Sequence, residues 1–139
     1  MMLDSMIEYE LMVFLTIAII AIIVLPMIFF LLHLQKLLTR CKTADKMTPG
    51  LVWLNLIPLF NFGWIFYTVS CVRDSLKIEF KSRGLESDDP QFGYSIGLAY
   101  CITWVCSIIP VVGIFSSIAS IILFIIYWVK THKYSSQLD

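Results

Sequence analysis

Charged side chains are absent from three long stretches of this sequence. Residues 11–32, 47–72 and 90–129 contain no Asp, Glu, Lys or Arg, and they are rich in Ile, Val, Leu and Phe. A helix needs about 20 mostly apolar residues to cross the hydrocarbon core of a bilayer. A soluble domain of 139 residues instead distributes its charges along every amphipathic element. The absence excludes an ordinary soluble domain and predicts one all-α integral membrane domain.

Histidine is absent from the same three stretches, and this second absence bears on function. Proton-coupled transporters bind and release ions through ionisable residues inside the membrane. Intramembrane proteases need a Ser/His pair, an Asp pair or an HExxH motif, and none occurs at membrane depth. We therefore expect a protein that is not an enzyme and has no cofactor or metal site. The net charge of zero gives no reason to expect a nucleic-acid partner.

The sequence also lacks a secretory signal, a lipidation motif and a CxxC pair. The first ten residues are acidic and carry no small-residue cleavage site, so we expect the first hydrophobic segment to remain as an anchor. The four cysteines are expected to be small buried hydrophobic side chains rather than metal ligands or redox pairs. They are Cys41, Cys71, Cys101 and Cys106.

Four hydrophobic segments make up the predicted membrane domain, residues 11–34, 51–72, 90–109 and 114–130. The last two come from one uncharged run, which Pro110 and Gly113 divide into a helical hairpin. The second segment carries two amides and a proline in its interior. We expect Asn55 and Asn61 to stabilise a helix break at Pro58, because a buried amide needs hydrogen-bond partners.

Past the second segment, the helix is predicted to leave the membrane as a cytoplasmic amphipathic extension, residues 73–84. Leu76 and Phe80 continue the helical spacing of apolar residues, and Gly84 suits the C-terminal cap. Asp89 is expected to cap the third helix, with the following proline as its first residue. The extension is the predicted interaction surface for a protein partner or the membrane surface, through Arg73, Leu76, Lys77, Phe80, Lys81 and Arg83.

The number of crossings has two solutions. Four transmembrane helices would place residues 36–46 on the opposite side from residues 73–89, and the basic residues would be divided between the two sides. If the second segment instead turns at Pro58 and leaves on the same side, all ten Lys and Arg residues lie in the cytoplasm, as the positive-inside rule favours. That solution has three transmembrane helices plus a Pro-broken, re-entrant segment, and it must satisfy a broken backbone at membrane depth.

Small residues on the fourth segment form a predicted packing face. In lipid, helices associate through close approach at small side chains rather than through a hydrophobic driving force. This face serves either the hairpin within the chain or contact with a second subunit. Its members are Gly113, Ser116, Ser117 and Ser120.

The stretch PGLVWLNLIPLFNFGWIFYTVSCVRDSLKIEFKSRG, residues 49–84, resembles a group of small bacterial membrane proteins of unknown function. They share a PLFNxxW-like core followed by DSLxxEFxxRG. The resemblance covers about a quarter of the chain and implies a bacterial inner-membrane setting, but it implies no activity. The matching positions are Pro58, Leu59, Phe60, Asn61, Trp64, Asp74, Ser75, Leu76, Glu79, Phe80, Arg83 and Gly84.

The leading functional prediction is a non-enzymatic accessory or interaction subunit of the inner membrane. It would use the extension to contact a membrane or cytoplasmic protein, with residues 36–46, 73–89 and 130–139 in the cytoplasm. One alternative is an oligomeric pore or holin-like permeabiliser, in which Asn55, Asn61 or the serine face would line water in a homo-oligomer. A further alternative is a lipid-binding protein.

Overall fold

The computed structural model describes residues 1–43 and 46–139, and this part of the chain is helical throughout, with no β-strand. The all-α prediction is confirmed. Ala44 and Asp45 belong to the predicted cytoplasmic segment 36–46 and lie outside the described residues. The helices are α1 (Met2–Arg40), the 3₁₀ helix η1 (Pro49–Leu56), α2 (Pro58–Arg83), α3 (Tyr94–Cys106) and α4 (Gly113–Gln137).

The chain divides into two compact units, Met1–Leu32 and His33–Asp139. The first unit is the apolar part of α1, and most of its large side chains are exposed. Pro26 lies inside this helix. The second unit contains the end of α1 and all the other helices, and it has a buried core of its own.

Within the described residues, α1 and α4 have the length and composition of membrane-spanning helices. Buried core helices and signal sequences meet the same criterion, so this observation alone is weak support for a membrane protein. The third apolar helix, α3, has 13 residues, and at 1.5 Å per residue it spans about 20 Å.

The second hydrophobic segment is not one continuous helix. The helix η1 ends at Leu56, Ile57 is extended with φ −82° and ψ 110°, and α2 begins at Pro58. Proline suits a first helical position because its missing N–H would have no partner there and its φ is already helical. The backbone N–H of Asn61 donates to the carbonyl of Ile57 at 2.8 Å and closes the first turn of α2. The chain therefore breaks where the sequence predicted.

In the second unit, α3 runs antiparallel to both α2 and α4. Arg73 lies over the ring of Tyr94 at 4.3 Å, whereas Gly97, one turn further along α3, faces Val69. Gly97 also faces Tyr127 of α4. These directions bring the start of α2, the end of α3 and the start of α4 to one end of the unit, which we call the tip end. The opposite end, which carries the ionic side chains described below, is the charged end.

Three aromatic rings close the charged end of the unit. Phe80, Phe92 and Tyr134 pack edge to face, with ring centroids 5.0 to 6.0 Å apart. Phe92 has φ 50°, a left-handed conformation that costs roughly 1–2 kcal/mol in a residue with a Cβ. Its burial between the other two rings offsets that cost, since aromatic pairs contribute about 0.5–1.5 kcal/mol beyond burial.

The predicted start of the third helix is wrong by one turn. α3 begins at Tyr94, and Asp89 caps the preceding turn by accepting from the backbone N–H groups of Gln91 and Gly93 at 2.9 Å each. Gly93 has φ 74°, so the chain bends before the helix begins. By contrast, α2 ends as predicted, with Gly84 in the left-handed conformation at φ 66°.

Candidate functional site

The charged end is built around one buried carboxylate. Glu79 is 2 % exposed and accepts hydrogen bonds from the backbone N–H of Thr43 and from Nε of Arg83, both at 2.8 Å. Burial alone would raise the pKa of Glu79. The Thr43 N–H and the Arg83 guanidinium outweigh burial, and they hold this pKa below its ordinary value.

Two arginines connect this carboxylate to distant parts of the chain. Arg83 also donates from Nη1 to the carbonyl of Leu138 at 2.8 Å and from Nη2 to the carbonyl of Arg40 at 3.2 Å. Arg40 donates to the carbonyl of Ser135 at 2.9 Å and pairs with the carboxylate of Asp139. Arg40, Glu79 and Arg83, here called the arginine cluster, thus join the ends of α1, α2 and α4.

A second set of ion pairs joins the turn before α3 to α4. Lys130 contacts Asp89 at 3.1 Å, and Lys133 contacts Asp88 at 2.7 Å. Burial would raise the pKa of Asp89, but two backbone N–H groups and Lys130 lower it. Lys133 lowers the pKa of Asp88, which in turn raises the pKa of Lys133. These ion pairs join the turn before α3 to the last part of α4 at the base of the hairpin.

The structure divides the predicted interaction surface into inward and outward residues. Leu76 and Phe80 are 0 % and 2 % exposed, so they belong to the core, and the prediction of an outward apolar face at these positions needs correction. Lys77 and Lys81 are exposed, and half-buried Arg73 lies four residues before Lys77. The guanidinium of Arg83 is engaged in the arginine cluster. The outward basic stripe therefore consists of Lys77 and Lys81, because Arg73 pairs with Asp74 at 2.8 Å and lies over the ring of Tyr94.

The amides at the helix break are both buried. Asn55 donates from Nδ2 to the carbonyl of Val52 at 2.9 Å and to Oγ1 of Thr68 at 3.1 Å. These bonds join η1 to α2 next to Pro58. Among the described residues, Oδ1 of Asn55 and Oδ1 of Asn61 have no hydrogen-bond partner.

The predicted packing face lies mostly inside the chain. Gly113, Ser116 and Ser120 are buried, whereas Ser117 is exposed and donates to the carbonyl of Gly113 at 2.7 Å. A Cβ on Gly113 would lie 2.5 Å from the carbonyl oxygen of Ser107. Gly113 is therefore required for the turn at Pro110. This is a role within the hairpin, the first of the two uses that the sequence left open for these small residues.

Sequence reasoning missed a pair of histidines at the charged end. The rings of His33 and His132 lie 5.3 Å apart, and Nε2 of His33 is buried without a hydrogen-bond partner among the described residues. No sequence motif connects these two positions. Among the described residues, no three or more His, Cys, Asp or Glu side chains are arranged to hold a metal ion.

Comparison with known proteins adds no family to this picture. No protein-family model, curated protein or solved structure matches the chain. The sequence resemblance at residues 49–84 therefore remains a prediction.

Proposed function

We propose that the protein is a multi-pass integral protein of the bacterial inner membrane that acts without catalysis, as an accessory or interaction subunit. One observation carries the proposal. In the second unit, ionic side chains are collected at the charged end, whereas the tip end and the outer surface of α4 expose large apolar side chains. The most exposed include Leu59 at 86 %, Val111 at 83 %, Phe115 at 76 % and Ile114 at 70 %.

Such a surface is costly in water. Burial of apolar surface is worth about 25 cal/mol per Å², and soluble monomers rarely expose contiguous apolar patches of more than a few hundred Å². Along α4 the exposed apolar residues recur over the length of its hydrophobic part. They are Ile114, Phe115, Ile118, Ile121, Ile122, Ile125, Ile126 and Val129. Lipid hydrocarbon is the environment that this surface fits.

The distribution of charge supports a cytoplasmic location for the charged end. All ten Lys and Arg residues lie between residues 36 and 133, whereas residues 1–32 contain three acidic residues and no basic ones. Basic residues next to membrane segments are retained on the cytoplasmic side. Residues 36–46, 73–89 and 130–139 are accordingly proposed to be cytoplasmic. In the three-helix and the four-helix topology alike, residues 11–32 cross the bilayer.

The basic stripe is the surface proposed for a partner. Lys77 and Lys81 have no ion pair among the described residues, so their charges are available to an acidic protein surface. The same charges favour lipid binding as a second candidate function, because a lysine near an anionic membrane contributes about 1 kcal/mol. The pore alternative has weaker support. The residues that would line water, Asn55, Asn61 and two serines of the α4 packing face, are buried and would have to turn outward.

Membrane integration is tested first, by fractionation. We expect the protein to stay in the membrane pellet after alkaline carbonate and urea, and to dissolve only in detergent. A peripheral protein bound through the basic stripe would be released by carbonate or salt. Recovery as a compact monomer without detergent would contradict the proposal.

The interaction role is tested by charge reversal. The double substitution K77E/K81E should abolish cross-linking to a defined partner protein while membrane integration is unchanged. The matched control is K42E/K46E, which reverses two other exposed lysines at the charged end. If both pairs of substitutions leave cross-linking unchanged, the stripe is not the interaction surface. Ion leakage from liposomes that contain the pure protein would favour the pore instead.

A further inference from the structure

Both hairpins of the second unit point their turns in the same direction. The first turn joins η1 to α2 at residues 56–60, and the second joins α3 to α4 at residues 107–113. Because α3 is antiparallel to α2 and α4, both turns lie at the tip end. The charged end holds the ion pairs that the structure describes for this unit. Each hairpin therefore has one ionic end and one uncharged end.

The side chains that the two turns expose are apolar. In the first turn Leu56, Ile57, Leu59 and Phe60 are exposed, and in the second turn Ile108, Ile109, Val111 and Val112 are exposed. A turn that reaches the aqueous phase is normally polar, with Gly, Asn, Asp or Ser. A helix that crosses a bilayer also carries basic or aromatic anchors at both interfaces. In the second hairpin the side chain of this kind that is nearest to the turn is Trp104, in the last turn of α3. The turn itself therefore carries no such anchor.

The hairpins are also short. At a rise of 1.5 Å per residue, α2 extends about 23 Å from Arg73 to Pro58, and α4 extends about 26 Å from Lys130 to Gly113. The hydrocarbon core of a bilayer is about 30 Å thick. If the basic side chains lie at the level of the headgroups, α2 and α4 both begin inside the hydrocarbon core rather than at the far interface. The apolar turns are then surrounded by hydrocarbon.

Backbone groups in hydrocarbon need internal partners, and the second turn supplies several. The N–H groups of Ser107, Ile109 and Gly113 donate to carbonyls of the same turn or of the preceding helix at 2.6 to 3.1 Å. Pro110 has no N–H to satisfy. The hydroxyl of Ser107 donates to the carbonyl of Trp104 at 2.6 Å. The turn thus reduces its need for water through its own hydrogen bonds.

We propose that the two hairpins are both re-entrant: each enters the bilayer from the side of the charged end, turns within the hydrocarbon and leaves on the same side. The partner of the tip end is then the acyl-chain region of the bilayer. This inference rests on the proposed membrane location and changes the topology predicted from the sequence, in which the third and fourth segments cross completely. Residues 11–32 are then the single crossing helix, so the inference replaces the multi-pass arrangement of the proposed function with a single-pass one.

The test places single cysteines at the tips and at the charged end. Val111→Cys and Leu59→Cys report the two turns, Ser136→Cys reports the charged end and Ser5→Cys reports the acidic N-terminal segment. Wild-type protein, whose own cysteines are mostly buried, sets the background. With a membrane-impermeant maleimide, Ser5→Cys should react in intact spheroplasts and Ser136→Cys only after lysis. Neither tip should react until detergent or denaturant is added. Labelling of Val111→Cys in intact spheroplasts would overturn the proposal.

An unreactive tip could also be buried against another protein molecule. Measuring the depth of the tip in the bilayer distinguishes this explanation from burial in hydrocarbon. A bimane on Val111→Cys in reconstituted vesicles should be quenched several-fold more by a lipid nitroxide near the bilayer centre than by a headgroup nitroxide. Stronger quenching at the headgroups places the tip at the far interface, and no quenching by either places it against a second copy. Each of these two results overturns the inference. Failure of the membrane proposal is distinct, since the protein would then be recovered without detergent.

Discussion

At the scale of single residues, the closest approach in the core depends on a missing side chain. A Cβ on Gly97 would lie 2.6 Å from Cγ1 of Val69 and 2.8 Å from Cε2 of Tyr127. Both neighbours are buried, and a β-branched residue and a ring have little freedom to move away. Gly97 therefore lets α2, α3 and α4 meet, in the way that small residues allow helices to approach in lipid.

We predict that Gly97→Ala destabilises the protein by about 1–3 kcal/mol, the usual cost of overpacking a core. The matched control is Gly63→Ala in α2, where a Cβ would meet no atom within 4 Å. Because alanine is the better helix former, this control should stabilise by about 0.5–1 kcal/mol. Thermal unfolding in detergent, followed with a thiol-reactive dye, measures the stability of both variants. The dye reports unfolding because Cys71 and Cys101 are buried in the folded protein. Equal shifts of the two variants would show that Gly97 is not a contact residue.

At the scale of elements, α2 is divided between two tasks. Its first part begins at the uncharged turn of the first hairpin. Its last turns place Glu79 and Arg83 next to the ends of α1 and α4. The interior of the last turns is apolar, through Leu76 and Phe80, so the extension is part of the second unit's core rather than a free helix. Arg83 connects the extension to the end of α4 through its hydrogen bond to the carbonyl of Leu138.

We predict that Arg83→Ala loosens the last turns of α4 without unfolding the rest of the second unit. The substitution leaves the buried Glu79 carboxylate without its cation and the Leu138 carbonyl without its donor, and such losses cost about 1–3 kcal/mol. Hydrogen exchange of residues 130–139 should become several-fold faster. Lys81→Ala, which removes an exposed cation two residues away, should leave exchange unchanged. Identical exchange in the two variants would contradict a structural role for the arginine cluster.

At the scale of the whole molecule, ionic bonds hold the second unit together at one end and apolar packing holds it elsewhere. The carboxylates of Glu79 and Asp89 have lowered pKa values, so the folded state binds their protons more weakly than the unfolded state does. Their contribution to stability is present above the unfolded pKa of about 4 and is lost as pH falls through the folded value. The tip end contains no group that titrates in this range.

We predict that acid loosens the charged end before the rest of the unit. Between pH 6 and pH 3 the thermal midpoint in detergent, followed by near-ultraviolet circular dichroism, should fall. The substitution E79Q should reduce this pH dependence, because one of the responsible carboxylates is gone. Asp4→Asn changes an exposed acidic residue outside the second unit and should not reduce it. A midpoint that is constant with pH would contradict the role assigned to these carboxylates.

Some features could be predicted because their causes are local. Pro58 breaks the second segment since a proline lacks an N–H and fixes its own φ. Gly84 ends α2 since it adopts a left-handed φ without strain. The start of α3 was predicted one turn too early because Asp89 and Pro90 fit a helix start and a capped turn equally well. Only the conformations of Phe92 and Gly93 distinguish these two structures.

Other features depend on contacts between distant residues. Leu76 and Phe80 form the same helical stripe in the sequence whether they face lipid, a partner or the chain's own core. The structure buries both of them in the core of the second unit. The arginine cluster joins Arg40 to Ser135, 95 positions apart, and no local pattern reports such a pair.

The sequence by itself determined where charge is and is not, and hence that the chain is helical with long apolar segments, because hydrophobicity and helix breaks are properties of short segments. The tertiary structure decided the direction of each helix. It thereby brought both uncharged turns to one end and the described ion pairs of the second unit to the other. The physical reason is that direction follows from side-chain packing across the core, at Gly97 above all, and packing involves residues that the sequence keeps far apart.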